Sequence, residues 1–449
     1  MSNKLFGTDG IRGVANTYPL TIDFCSRLAI ALSETICTKH KRAAIARDTR
    51  ISGDMLFNAL CAGFTSQGVD VVDLGIIPTP LCTTITPNLG VDMSIMITAS
   101  HNPYRDNGLK LITASGDKFS DEQSRMVEEL LAKDAAPVYD AEKIGCVKKD
   151  DTAINFYKQT ISKIASAGAL KGMKIVIDSA NGAFSAIMPQ VYRDLGAEII
   201  SLADQPNGTN INRDCGSQHT ENLCQTVIES HSMLGIAVDG DGDRIIVCDE
   251  KGSRLNGDQI IAYLATYFKQ HNLLKGNAAV ATIYSNLGLG RYLKSIDIDY
   301  YTSAVGERYV IEKMRTTGAN IGGEESGHMV LSDYSLTGDA LLASLIICLG
   351  IKESGKKMSD IFPVFEPYPT AAHNLRFASK DEVAALMEKA EFKTCLEEAE
   401  AALKNHGSII VRKSGTEPVM RLKIEDESKE LVEQISEKML NCIKKLSDN

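Results

Sequence analysis

The chain has 449 residues, too many for one core, and at about 150 residues per domain it is expected to form roughly three. Hydrophobic residues make up 44% and charged residues 24%, the balance of a soluble globular protein. With 48 Lys+Arg against 58 Asp+Glu the formal charge is −10, which argues against a general nucleic-acid or membrane-surface binder; an anionic ligand would need a local cluster of Arg, Lys or metal.

The N-terminus lacks a basic start, an apolar stretch and a cleavage site, and no run approaches the length of a membrane span, so neither a secretory signal nor a bilayer crossing is expected. Helical periodicity covers Ile22 to Thr38, followed by a short strand at Ala43–Ala46, a helix over Gly53–Ser66 and strands at Val69–Leu74 and Met93–Ile97. The last of these runs straight into Thr98-Ala99-Ser100-His101-Asn102-Pro103. Strand, polar turn and helix recur at Lys174–Asp178 with Ser179-Ala180-Asn181-Gly182 and a helix to Leu195, and again at Ala278–Ile283 with Ser285-Asn286-Leu287-Gly288. Strands separated by helices imply parallel βαβ units, and the recurrence suggests three α/β domains of related build. The apolar run Leu341–Leu349 suits a buried helix.

After Pro363, Pro367 and Pro369 the grammar changes. A strand at Ala371–Phe377, a helix-rich stretch over Lys380–Asn405, strands at Ser408–Arg412 and Val419–Glu425 and a helix over Lys429–Leu446 read as a small α+β domain. The count becomes four: 1–150, 151–255, 256–367 and 368–449. The 11 cysteines form no CxxC pair and are expected to be reduced core residues of a cytoplasmic protein, one of which could be a reactive thiol.

Five stretches carry candidate chemistry. In Asp239-Gly240-Asp241-Gly242-Asp243-Arg244, three alternating carboxylates can converge on a hard divalent cation of the Mg²⁺ type, with Arg244 placed for phosphate; an acidic turn in solvent is the plain alternative. An EF-hand is rejected, because Arg244 stands where Gly is required and strands flank the motif. Ser100 lies at the carboxyl end of a strand, where α/β folds bind ligands, without the flanking glycines of a nucleophile elbow; beside a carboxylate cluster a phosphorylated serine is the sharper reading and a simple turn residue the plainer one. Lys110 follows the Asn107-Gly108 turn. Gly322-Gly323-Glu324-Glu325-Ser326-Gly327-His328 has a composition suited to sugar hydroxyls, or to an ordinary polar loop. Arg412-Lys413-Ser414-Gly415-Thr416-Glu417-Pro418 makes a phosphate cradle or a β-turn, and is not a P-loop. Phe6 to Gly13, with Arg12, could wrap a phosphate or pack under the first domain.

In this order and spacing the stretches FGTDGIRG, TASHNP with DNGLK, DGDGDR, GEESGH and RKSGTEP resemble the α-D-phosphohexomutase superfamily over every expected domain, most closely its bacterial glucosamine-phosphate members. The resemblance implies three related α/β domains with mixed or parallel sheets plus a C-terminal α+β domain around a central cleft. It implies a phosphoserine at Ser100 and Mg²⁺ held by Asp239, Asp241, Asp243 and the Ser100 phosphate. Arg12, Lys110 and Arg244 would stabilise charge nearby, with Lys110 a candidate general acid/base and His101 counted in the catalytic set. Glu324, Ser326 and His328 would fall on the sugar loop, and Arg412, Ser414, Gly415 and Thr416 on a distal phosphate clamp. The implied reaction interconverts glucosamine 6-phosphate and glucosamine 1-phosphate through a sugar 1,6-bisphosphate, en route to UDP-N-acetylglucosamine; the phosphomannomutase/phosphoglucomutase reaction is the alternative. A small phosphosugar is the implied partner, with no nucleic acid or membrane, and a homodimer is common in the family. Glu325 stands where the glucosamine enzymes more usually carry Gln, a departure bearing on the sugar and not on the reaction class.

Overall fold

The computed structural model describes residues 5–7, 9–133, 140–404, 406–414 and 418–447. Four sheets follow one another along the chain. The first places Arg42–Arg47 between parallel neighbours Asp70–Ile76 and Met93–Ile97; Asp106–Thr113 then returns antiparallel to Met93–Ile97. The second repeats this, with Lys174–Asp178 between parallel Glu198–Leu202 and Leu234–Val238 and with Ile245–Asp249 returning antiparallel. The third repeats it again, with Ala278–Thr282 between parallel Asp299–Ser303 and Ile321–Gly323 and with Met329–Leu331 returning antiparallel. The repeat suggested by the sequence is therefore one of topology. In each of these three domains the outermost parallel strand on one side turns back as a hairpin, and the connection is the polar motif. The fourth sheet is wholly antiparallel, Thr370–Arg376, Val419–Glu425 and Ser408–Lys413, and Arg412 and Ser414 lie at the carboxyl end of its last-named strand.

The expected strands are present to within a residue or two at each end, because alternating or continuous β-branched runs leave little choice of register. Helices depart more. The one expected to follow Ser179–Gly182 begins only at Met188, since Ala180 and Asn181 adopt left-handed backbone at φ 54° and 49°. The Lys380–Asn405 stretch splits into Lys380–Glu388 and Ala390–Leu403, because Lys389 is extended at ψ 135° and serves as both cap residues. The first three sheets share one continuous core through the helix Ala340–Ser354, which is apolar all round and buried, while the C-terminal domain has a core of its own around Phe392, Met420, Leu422 and Met439. All eleven cysteines are free, eight of them buried. Among the described residues no helix is long and apolar enough to cross a membrane.

Candidate active site

Ser100 sits in the hairpin connection after Met93–Ile97 and is almost wholly buried. Its φ of 55° is left-handed, a costly conformation for a non-glycine residue and one that points its side chain out of the line of the strand. Its Oγ lies 2.7 Å from Asp239 Oδ2, across the boundary between the first two sheets, and 3.4 Å from His101 Nδ1. Asp239 opens the equivalent hairpin of the second sheet. Such close apposition needs glycine at 240, because a Cβ there would stand 2.8 Å from both Ser100 O and Asn212 Nδ2.

Asp239, Asp241 and Asp243 are all buried, with one oxygen of each lying within 4.8 Å of the others. Lys110 Nζ is 2.6 Å from Asp241 Oδ2 and 2.7 Å from Asp243 Oδ2, and Thr79 Oγ1 donates to Asp241 Oδ2 at 2.5 Å. Asp241 Oδ1 and Asp243 Oδ1 are buried without a hydrogen-bond partner. Orphaned carboxylate oxygens in a dry site call for a cation, so this donor set fits a hard divalent ion. Burial and the charges of Asp243 and Asp241 push the Asp239 carboxyl well above the usual carboxylate range. Burial acts the same way on Asp243, but Lys110, His328 and Arg244 outweigh it and hold Asp243 below that range. Burial would strip the proton from Lys110, yet Asp241, Asp243 and Asp9 outweigh it and hold the ammonium.

Arg12 Nη2 pairs with Asp9 Oδ2 at 2.5 Å, and its Nε is buried without a hydrogen bond, as is Arg244 Nε, which lies 4.0 Å from Asp243 Oδ1. Arg244 donates its backbone N–H to Asp239 Oδ1 at 3.1 Å. Burial, with Arg244 and Arg12 behind it, lowers the His101 imidazole to about 4, so it is neutral at neutral pH.

The third hairpin docks against the second through a bridge between Arg244 and His328 and a bond from Ile245 N to Gly327 O at 3.0 Å. His328 is buried, with Nε2 2.8 Å from Glu307 Oε1. Glu324 accepts from Gly306 N at 3.0 Å through Oε1, while Ser326 is exposed. Glu325 Oε2 lies 4.0 Å from Lys423 Nζ, a contact between the third and fourth domains. Arg412 stands apart from the serine, with its guanidinium 4.9 Å from the Tyr284 ring centroid and its Nε buried and unpartnered. Ser414 is buried at the start of the same turn; Gly415 and Thr416 lie outside the described residues.

Several side chains that sequence reasoning did not single out complete the site. Asp9 binds Arg12 and Lys110 and takes Lys118 Nζ at 2.6 Å; Lys118 in turn reaches Glu307 Oε2 at 2.5 Å. This chain of charges runs from the serine's domain to the sugar-loop histidine. Asp9 lay inside a quoted motif and could have been found there. Lys118 and Glu307 carry no local signal, being joined only by the fold.

A buried serine facing a carboxylate cluster that fits a cation, with the Lys110 ammonium bonded into that cluster, is an arrangement suited to phosphoryl transfer. Family models for the phosphoglucomutase/phosphomannomutase α/β/α domains I, II and III match residues 3–137, 154–252 and 256–368, and the model for the C-terminal domain matches 373–441. Phosphoglucosamine mutase of Rhizobium meliloti is 42% identical over 99% of this chain and 98% of its own length. That of Zymomonas mobilis is 42% identical over 99% of this chain and 100% of its own. Among solved structures, a phosphoglucomutase/phosphomannomutase family protein of Burkholderia thailandensis superposes with a TM-score of 0.83 at 23% identity, covering 99% of this chain and 98% of that one. The chain belongs to the phosphoglucomutase/phosphomannomutase family, the phosphohexomutases.

Proposed function

We propose that this chain interconverts glucosamine 6-phosphate and glucosamine 1-phosphate through a phosphoserine at Ser100 and a sugar 1,6-bisphosphate, supplying UDP-N-acetylglucosamine synthesis. The observation that carries it is Ser100 Oγ at 2.7 Å from Asp239, the first carboxylate of the orphaned cluster. The full-length relatives named phosphoglucosamine mutase support the choice of sugar.

In the forward step the Ser100 Oγ–P bond breaks as a P–O bond forms to a sugar hydroxyl; that hydroxyl loses a proton and the serine oxygen regains one. Reorientation of the bisphosphate then returns the other phosphate to Ser100. Lys110, clamped as an ammonium between Asp241 and Asp243, acts as a fixed cation at the serine. The neutral His101 ring, 3.4 Å from Ser100 Oγ, is a group able to carry a proton there. Arg12 and Arg244 hold guanidinium N–H groups free for phosphate oxygens. Asp239, Asp241 and Asp243 would hold Mg²⁺, which neutralises charge on the transferring phosphoryl group when bound. Glu324, Ser326 and His328 are assigned to the sugar, and Arg412 and Ser414, with Gly415 and Thr416, to the phosphate that is not reacting. We place domain boundaries near residues 150, 255 and 367.

The test is a side-by-side assay of glucosamine, glucose and mannose phosphates with Mg²⁺ and a bisphosphate activator. The expected result is a clear kcat/KM preference for the glucosamine phosphate and loss of turnover in Ser100→Ala. A preference for glucose or mannose phosphate would overturn the sugar, and an active Ser100→Ala the mechanism.

A further inference from the structure

The loop that carries Ser100 is strained, and something outside it must hold its shape. Arg50 does part of this. It follows the carboxyl end of Arg42–Arg47 and is buried. All five of its guanidinium N–H groups are used: Nε donates to Asp48 Oδ2 at 2.9 Å, Nη1 to Asp106 O at 2.9 Å and to Pro103 O, and Nη2 to Ser100 O at 2.9 Å and Asn102 O at 2.8 Å. Asp48 Oδ2 also accepts from Thr98 Oγ1 at 2.7 Å, and that hydroxyl accepts from Ser100 N at 2.9 Å.

The second domain grips the same loop. Asn212 Nδ2 donates to Ser100 O at 2.8 Å and to Asn102 O at 3.0 Å, the two carbonyls that Arg50 Nη2 also holds. Asn212 is itself fixed by its backbone N–H to Ala180 O at 2.9 Å, and its neighbour Ile211 packs where a Cβ at residue 240 would stand. Two further bonds join the domains beside it, from Thr49 Oγ1 to Asn181 O at 2.6 Å and from Ile51 N to Gly208 O at 2.8 Å.

We infer that Arg50 and Asn212 are positioning residues: a two-domain fork on the Ser100 and Asn102 carbonyls that sets the serine against the carboxylate cluster of the second domain. Neither reaches the reacting atoms. Their contribution is geometric, and a displacement of the serine by about 1 Å is enough to cost on the order of 100-fold in rate. Asn212 is the arm that ties the serine's position to the domain bearing Asp239.

The inference rests on Ser100 as the phosphoryl carrier, so Ser100→Ala is run alongside. Full-length enzyme phosphorylated on Ser100 is mixed with glucosamine 1-phosphate in Mg²⁺, and loss of the phosphoserine is followed in a single turnover. Asn212→Ala is expected to slow it about 10- to 100-fold while KM stays within about threefold and the melting midpoint is kept. Asn212→Asp, nearly isosteric but presenting an oxygen to two carbonyls, is expected to be slower still. Arg50→Lys keeps a cation opposite Asp48 but has three donors for five acceptors, and is expected to show the same split between kcat and KM. Single-turnover rates within about twofold of wild type in Asn212→Ala and Asn212→Asp would overturn the inference, as would equal losses in kcat and KM. Turnover in Ser100→Ala would instead overturn the assignment of the serine.

Discussion

Replacing Glu307 by Gln isolates the charge that ties the sugar loop to the first domain. Its carboxylate contacts His328 Nε2 and accepts from Gly338 N, both at 2.8 Å, accepts from Thr337 Oγ1, and pairs with Lys118 Nζ at 2.5 Å. Burial alone would lower the His328 pKa, but Glu307 and Asp243 outweigh it and raise it from 6.5 to about 9. At 1.36 kcal/mol per unit that rise corresponds to about 3 kcal/mol of stability. The sign follows from linkage: the contribution is present in full below the ordinary His value and is lost as pH rises through about 9. Burial likewise opposes the charge on Glu307, yet His328 and Lys118 outweigh it and hold its carboxyl well below the usual range. The pair therefore survives until the pH falls through that lowered value, and the same contact is counted once. Glu307→Gln removes the first anion that holds the charge on His328 and leaves only Asp9 on Lys118, so His328 should release its proton at a lower pH than in the wild type, and near pH 6 the protein should lose about 3 kcal/mol. The assay is an NMR titration of the His328 imidazole in chelator, with calorimetric melts near pH 6 and near pH 9.5. The gap between wild-type and variant midpoints should narrow at the higher pH. A wild-type His328 that titrates at or below its ordinary value, or a variant equally destabilised at both pH values, would refute the reasoning.

Three further outcomes are expected. Gly10→Ala places a Cβ 2.1 Å from Leu109 O at a φ of 88°, and should lower the stability of the first three domains by about 2 kcal/mol or more; a melt within about 0.5 kcal/mol of wild type contradicts the tight approach. Asp241→Asn should weaken Mg²⁺ binding at least about 10-fold by calorimetric titration, since the orphaned Oδ1 loses its charge while Lys110 keeps Asp243 at 2.7 Å. Cys146 is the only exposed thiol of the eleven, and a hydrogen bond to Asp70 raises its pKa. It should react with Ellman's reagent before the others but sluggishly at neutral pH, and Asp70→Asn should speed it; an unchanged rate would mean the bond does not form in solution.

Strands and motifs were legible because each is a local pattern. Three carboxylates in five residues, or a serine just past the carboxyl end of a strand, need no fold to be noticed. What was not legible is what the fold brings together from afar. Lys118 and Glu307 are 189 positions apart and each reads as an ordinary surface charge, yet both are drawn into the site when the third sheet closes on the first. Arg50 had a weak signal, a polar turn at the carboxyl end of a parallel strand, where α/β folds place ligand-facing groups. Helix boundaries failed where left-handed residues such as Ala180 and Asn181 interrupt a periodic pattern, because the backbone there serves the contacts to Thr49 and Asn212 and not local propensity.

The hairpins explain why these motifs and not others carry chemistry. In each of the first three sheets the polar motif lies where the last parallel strand turns back into an antiparallel one, so its backbone N–H and C=O groups leave the ladder and must be met by side chains or by another domain. The Ser100 loop meets Arg50 and Asn212; Asp239 meets Arg244 N; Glu324 N meets His328 O across its own turn. Docking of one hairpin on the next buries the three aspartates around Lys110, and two of their carboxylate oxygens are left without a hydrogen bond. A net charge of −10 thus says little about the ligand: part of the acidity is concentrated where a divalent cation would offset it, and Arg12, Lys110 and Arg244 are the cations proposed to meet an anion there.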